Sequence, residues 1–367
     1  MQVLSLLALS ALALPLSMND TPGASDGTSR PAPTGGDSDE TTESFWPLAD
    51  PGADDAHRAW RPVHDVVMGG ISDGVPSKVE GGVRFAGVMR VEGGGFVSFR
   101  SRPTGSLEGA DGVRIRVRGD GQTWKFSLPG GMRGVSWQIS FVAPRAASDD
   151  DWTDVVLPFA DFLPRFRGQL VAGADPLDPA GADQIGFTLA DKQAGDYRLD
   201  VAAVEGWRAA RGDADEGSLA AHVQRTASLR DALAETPTAE MLLARLEWTE
   251  RVLVVAEPLP RGSLGARASI QMGRFATELA SLADRDVRVV HLCGGREARA
   301  AGVALDEDAT RALRERWELP RGAWACALVG KDGGVKERWD EPVDVTTIAV
   351  LIDAMPMRSR ERERREQ

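Results

Sequence analysis

The chain has 367 residues, 42% of them hydrophobic and 27% charged, with a formal charge of −12. The length suits two domains and the mix is that of a soluble globular protein. The acidic excess argues against nucleic acid or an anionic membrane surface as main partner. Two cysteines, Cys293 and Cys326, are too few for a disulfide framework or a four-cysteine zinc site. His57, His64, His222 and His291 are scattered, so no histidine-rich metal site is expected and no cofactor is assigned.

The first stretch with a signal is the apolar run Val3–Leu16, the length of a signal-peptide core and too short to span a bilayer. No Lys or Arg precedes it, so an apolar tail or a mis-assigned start stands as the alternative. The run "TPGASDGTSRPAPTGGDSDETTES" follows, almost without apolar residues, and reads as a disordered linker. Residues 1–44 are therefore expected to be signal peptide and linker, and the rest to be exported to the periplasm or beyond.

From Phe45 to Trp207 the periodicity is two. In "VRIRVRGDGQTWKFS", Val113, Ile115 and Val117 face one way and Arg114, Arg116 and Arg118 the other. Gly119-Asp120-Gly121 makes a turn, and Trp124 and Phe126 continue the apolar side. Trp137, Ile139 and Phe141, then Tyr197, Leu199 and Val201, repeat the pattern. Further strands are expected at Val83–Val91, Phe96–Arg100, Trp152–Leu157 and Gln184–Leu189. About eight short strands with Gly, Pro and Asp turns point to a β-sandwich or jelly roll. "HDVVMGGISDG" (64–74) carries a glycine pair, but no helix start and no Gly-Lys-Ser/Thr follow, so a phosphate loop is excluded.

That stretch, as Asp65-Val66-Val67-Met68-Gly69-Gly70-Ile71-Ser72, resembles the signature of the complex I intermediate-associated protein 30 family. The likeness runs on through "FAGVMRVEGGGFVSFR" (85–100), "RVRGDGQTWKF" (116–126), "LPFADFLPRFRG" (157–168) and "QIGFTLADKQAGDYRLDV" (184–201). Glu92-Gly93 departs from it, where an asparagine pair is common. The resemblance implies a galactose-binding-type jelly roll over residues 45–208. In it the 64–74 stretch is a turn between β segments, with Asp65 hydrogen-bonding the loop and Met68 in the core. If the loop lines a binding face, Asp65, Met68, Gly69, Gly70 and Phe96 belong to it. Asp120, Trp124, Lys192 and Gln193 are further candidates, the polar three with surface hydrogen bonding as their ordinary role. Arg100 and Arg167 are the candidates for partner contact, each just beyond an apolar-aromatic run. The Arg114/Arg116/Arg118 stripe is expected to be a solvated face.

After Trp207 the texture turns helical. Residues 209–243 read as a connector of two helices, capped by Ser218 and Thr238 and separated at Pro237, with Met241, Leu242, Leu243 and Leu246 packing. Residues 244–358 then alternate: strand "RVLVVAEP", helix "LGARASIQMGRFATELASLADRD", strand "VRVVHLC", helix "DEDATRALRERWEL", hairpin "AWACALVGKDGGVKERW", helix "VTTIAVLIDAM". That β-α-β-α-β-β-α order is that of a thioredoxin-like fold. "LVGKDGGVKERW" and "LIDAMPMR" also resemble an uncharacterised bacterial family of thioredoxin-like domains. Lys331 with its glycine pair reads as a hairpin, not a phosphate loop. The place of a redox cysteine pair is held by "AEPLPRGSLGA", without cysteine, so disulfide exchange by that route is not expected. Strand order 2-1-3-4 puts Cys293 and Cys326 on either side of the first strand, too far apart to bridge; both read as small core residues. Residues 359–367 read as a solvated charged tail.

Three functional classes follow. The preferred one is a non-catalytic binding or assembly-factor protein, chaperone-like, as the family resemblance implies, with an assembling or membrane-associated protein as partner. The alternative is an extracytoplasmic carbohydrate-binding protein, which would expose Trp60, Trp124 and Trp152. The third is an enzyme of unknown reaction, since fold does not fix function.

Overall fold

A computed structural model describes residues 42–65, 69–92, 94–130, 134–258, 265–294 and 297–365. The apolar run Val3–Leu16 and Met68 lie outside the described residues. The first half is β1 (Ser44–Ala49), a short α1 (Ala56–Ala59), β2 (Arg61–His64), β3 (Asp73–Val79), β4 (Gly82–Met89), β5 (Val97–Ser101) and β6 (Gly112–Gly119). It continues with β7 (Thr123–Pro129), β8 (Ser136–Val142), β9 (Thr153–Pro158), β10 (Leu163–Phe166), β11 (Gln169–Leu170), β12 (Ile185–Leu189) and β13 (Gly195–Arg208).

These strands make two antiparallel sheets, β3-β4-β13-β6-β9 with β1 also on β13, and β11-β10-β8-β7-β12-β5-β2. Alternation puts Phe85, Phe99, Phe126, Phe141, Phe187, Trp124 and Leu199 between them, all fully buried. Phe85 and Phe99 come from opposite sheets and stack at 4.5 Å with 9° between their planes. Such a pair is worth about 0.5–1.5 kcal/mol beyond the area it buries. Strands β1, β2, β3, β10 and β11 exceed the sequence reading, because short strands carry too few alternations to register. Pro76 sits in β3, an edge strand paired only to β4, the kind of strand in which sheets tolerate proline.

The arginine stripe of β6 is a solvated face only at Arg116. Arg118 is buried and shares the buried Asp200 with Arg84, and Arg114 pairs with Glu205. Period-two alternation gives the face of a residue, whereas what covers that face comes from elsewhere in the chain.

The second half is α2 (Leu219–Glu235), α3 (Ala239–Leu246), β14 (Arg251–Ala256), α4 (Ala266–Thr277), α5 (Leu279–Asp284) and β15 (Val287–Cys293). Then come β16 (Glu297–Ala300), β17 (Val303–Ala304), α6 (Glu307–Arg316), β18 (Ala325–Val329), β19 (Val335–Trp339), α7 (Val345–Asp353) and α8 (Pro356–Arg365). The sheet order is β17-β16-β15-β14-β18-β19, with β14 and β15 parallel and the other neighbours antiparallel. Leu229, Leu233, Leu242, Leu246 and Leu313 cover one face; Phe275, Leu282, Ile348 and Ile352 cover the other. Ser218 and Thr238 cap α2 and α3 by accepting from the Ala221 and Met241 amides. Both helices pack into this core rather than merely joining two domains. Expected as one helix, 264–286 divides into α4 and α5 at Glu278. Most of the described tail is exposed as expected, but it is anchored: α8 buries Arg358 and Glu361, and Glu361 pairs with Arg251 and Lys331. No described helix is long and apolar enough to cross a membrane.

Candidate functional site

The glycine-pair loop is built around one carboxylate. Asp65, wholly buried, accepts from the Ser72 amide at 3.1 Å, the Ser72 hydroxyl at 2.7 Å and the Gly95 amide at 2.7 Å. Burial alone would raise its pKa, but these hydrogen bonds outweigh it and hold the carboxyl below its ordinary value. Gly70 allows the close approach, since a Cβ there would lie 2.3 Å from the Asp65 carboxyl carbon. Gly69 turns the chain at φ 88°, and half-buried Phe96 accepts the Asp65 amide through its carbonyl. These four residues lie together in one loop cluster, and their hydrogen bonds close within it.

The other candidates scatter over the seven-stranded sheet. Trp124 is a core residue, edge-on to Tyr197, and so is unavailable to a ligand. Alternation along β7 settles this: the side chain that continues the apolar face goes inside. Trp60 is likewise in the core, and Trp152 lies under the Arg118 guanidinium. Asp120 closes its own turn, accepting from the Gln122 and Arg198 amides. Arg100 on β5 and Arg167 beside β10 are exposed. Four strand steps separate β5 from β10, about 19 Å, so they do not form one site. Gln193 clamps β7 through the Thr123 amide and carbonyl, while exposed Lys192 stands in the left-handed region (φ 59°) beside Asp191 (φ 63°).

The outer face of β7, β8 and β10 is covered by the second half of the chain. Helix α4 lies on β8, with Ser140 and Ser269 hydroxyls 3.0 Å apart and Thr277 accepting the Val142 amide at 2.9 Å. Gly273 faces Phe141 and Thr123, where a Cβ would be 3.0 Å from the Thr123 methyl. Sealed in this seam, Lys125 pairs with Asp191 at 2.6 Å, and Arg165 donates to the Gly168 carbonyl. Burial pulls both cations below their usual pKa, with Asp191 opposing. Along the rim runs an open groove of about 1080 Å³. Thr123, Arg145 and Gln193 line it from the sandwich, and Arg274, Glu278 and Asp344 from the other side.

Deeper in the second half, two consecutive polar contacts join three residues that the sequence reading did not bring together. Cys293 Sγ lies 2.9 Å from His291 Nδ1, and His291 Nε2 lies 2.8 Å from Glu257 Oε1. All three side chains are buried. Burial would lower the imidazole pKa, but Cys293 and Glu257 raise it, to about 10. Cys293 is buried, as expected of a core residue, but touches His291, whereas burial alone acts on Cys326 and pushes its pKa up. Both are free thiols. The sequence does hold a signal, since His291 and Cys293 are i, i+2 on one strand and hence share a face. The three ligand-type atoms lie within 4.8 Å of one another. Each ring nitrogen of His291 already has a partner within the chain, so the set is a hydrogen-bonded relay rather than an open metal cage.

Fold and seam define a two-part protein in which an antiparallel β-sandwich is closed on one side by an α/β unit. Residues 50–201 match the family model described as Complex I intermediate-associated protein 30, and residues 242–361 match that described as Domain of unknown function (DUF4174). No curated protein matches it. Among solved structures it is similar to the Family 11 Carbohydrate-Binding Module of cellulosomal cellulase Lic26A-Cel5E of Clostridium thermocellum. The identity is 16% over 47% of this chain and 98% of that one, with a TM-score of 0.35. The same organism's module in complex with a beta-1,3-1,4-mixed-linked tetrasaccharide gives 15%, 46%, 98% and 0.33. A family 29 carbohydrate binding module gives 12%, 45%, 89% and 0.27.

Proposed function

We propose that this is a binding protein with an assembly-factor role, which holds a segment of a partner protein in the groove between its two parts. The groove carries the reading. Its volume of about 1080 Å³ exceeds the 300–1,000 Å³ of ordinary small-molecule sites, and exposed Arg145 and Glu278 on its walls offer charges of both signs to an extended chain. The family description, an intermediate-associated protein, supports the same class. The second half is read as thioredoxin-like: parallel β14 and β15 beside antiparallel β18 and β19 supports that assignment. With the apolar N-terminal run, the place of action is outside the cytoplasm and the partner an extracytoplasmic or membrane-associated protein.

The test is site-specific photo-cross-linking in native cells, with the probe at Arg145, at Glu278, or at exposed Arg116 on the other sheet. One adduct shared by the two groove positions and missing at Arg116 is expected. Adducts at all three, or at none, would defeat the proposal.

A further inference from the structure

We propose that Cys293, His291 and Glu257 form a thiol-reactive centre that reduces small hydroperoxides, with Cys293 as the attacking sulfur. The proposal goes beyond the binding role above and does not depend on it. Geometry supplies the parts of an activated nucleophile: a thiol 2.9 Å from a base, and a base held at its other nitrogen by a carboxylate 2.8 Å away. Glu257 is itself fixed, because its second oxygen accepts the Gly265 amide at 3.0 Å. The relay is built on strand ends: Glu257 follows β14, and His291 and Cys293 end the neighbouring parallel β15. It stands at the C-terminal edge of the two parallel strands, where α/β folds place their chemistry.

The surroundings carry both signs: buried Glu297, which pairs with Arg299, stands opposite Cys293 on β16, and cations lie nearby. Arg314 donates through Nη2 to the Glu257 and Gly294 carbonyls, the two residues that flank the relay, and its Nε is buried without a partner. Arg165 of the sandwich lies within the electrostatic field of both Cys293 and Glu257. A buried guanidinium N–H with no acceptor is costly unless something transient fills it. An oxyanion formed beside Cys293 is such a partner.

The reaction balances on these residues. The Cys293 proton passes to His291 Nδ1, and the sulfur attacks the outer oxygen of the hydroperoxide. An S–O bond forms as the O–O bond breaks; sulfur loses two electrons and the peroxide gains them. The departing alkoxide or hydroxide takes the proton back from His291 and leaves as alcohol or water, with Cys293 as sulfenic acid. The size of the substrate follows from burial. Cys293 is only 2% exposed, which suits a molecule of a few heavy atoms and not a peptide.

Cys326 cannot resolve the sulfenic acid. It pairs with Val255 of β14, which pairs on its other side with His291, so β14 separates the two cysteines by two strand spacings, about 9–10 Å, against the roughly 7 Å a disulfide allows. A low-molecular-weight thiol must therefore return Cys293 to its reduced form, through a mixed disulfide and release of water, then a second thiol.

The experiment treats the full chain with hydrogen peroxide in the presence of a sulfenic-acid trap and reads each cysteine by peptide mass spectrometry. Cys293 is expected to be trapped at least about tenfold faster than Cys326. His291→Gln, which removes the proton acceptor, should slow trapping of Cys293. Glu257→Gln should slow it too while Cys326 labelling stays level, the internal check that the fold is kept. Equal trapping of the two cysteines in the unaltered chain, which needs no variant to fold, would overturn the proposal, as would unchanged trapping of Cys293 in both variants.

Discussion

Arg251 and Glu361, 110 residues apart, meet in a buried two-pronged ion pair, with Arg251 Nη2 3.0 Å and Nη1 3.1 Å from the two Glu361 oxygens. The first residue of β14 is thereby tied to the last helix of the chain. Lys331, from the turn between β18 and β19, adds a contact to Glu361 at 2.9 Å and another to Asp286 at 2.9 Å. Removing one partner strands the other as an uncompensated buried charge, at about 3–5 kcal/mol. Glu361→Ala should lower stability by that amount in chemical denaturation, and deletion of 356–367 should do at least as much. A change below about 0.5 kcal/mol would mean that the tail is dispensable.

The Asp65 loop gives a pH signature. Its carboxyl is held below the ordinary carboxylate pKa, so the folded state binds its proton less readily than the unfolded one. The stability it contributes is present above about pH 4 and is lost as pH falls through the lowered value. Asp65→Asn turns an acceptor into a donor facing amide donors and should cost about 1–3 kcal/mol at neutral pH. Urea titrations from pH 7 down to about pH 3 should show that difference shrinking only in the most acidic samples.

Asp161 should behave in the opposite sense. It lines a cavity with His222 and Arg288, and burial raises its pKa to about 6 against the partial relief of Arg288 and Arg230. With the folded value raised, its favourable contribution is complete below the unfolded pKa, near 4, and fades as pH rises through about 6. Asp161→Asn should therefore stabilise the protein at pH 7, on the order of 1 kcal/mol, and leave it unchanged at about pH 4. Thermal melts at the two pH values decide it.

Gly273 is where α4 comes closest to the sandwich. Gly273→Leu drives carbon into the Phe141 backbone and the Thr123 methyl, and overpacking of this kind costs about 1–3 kcal/mol. Hydrogen exchange should show the Val142 amide, held by Thr277, losing protection first. Unchanged exchange at Val142 would mean that the seam tolerates separation.

Sequence alone determined what depends on neighbours along the chain. Period-two alternation put Val113, Trp124, Phe126 and Phe141 inside a sandwich, and the Ser218 and Thr238 caps placed two helix starts, because strand faces and helix ends are set within a few residues. Order and length of the apolar runs placed β14 between β15 and β18. Contacts between distant segments were decided only by the tertiary structure. The Arg118–Asp200 pair spans 82 residues, Arg251–Glu361 spans 110, and Lys125, turned outward by the same alternation that buries Trp124, is sealed only because α4 lies on that sheet. The Cys293 relay needed both levels. One strand sets His291 beside Cys293, but Glu257 reaches them across a parallel pairing that has no local code, since the register of two strands joined by a helical crossover is fixed by packing rather than by any turn between them.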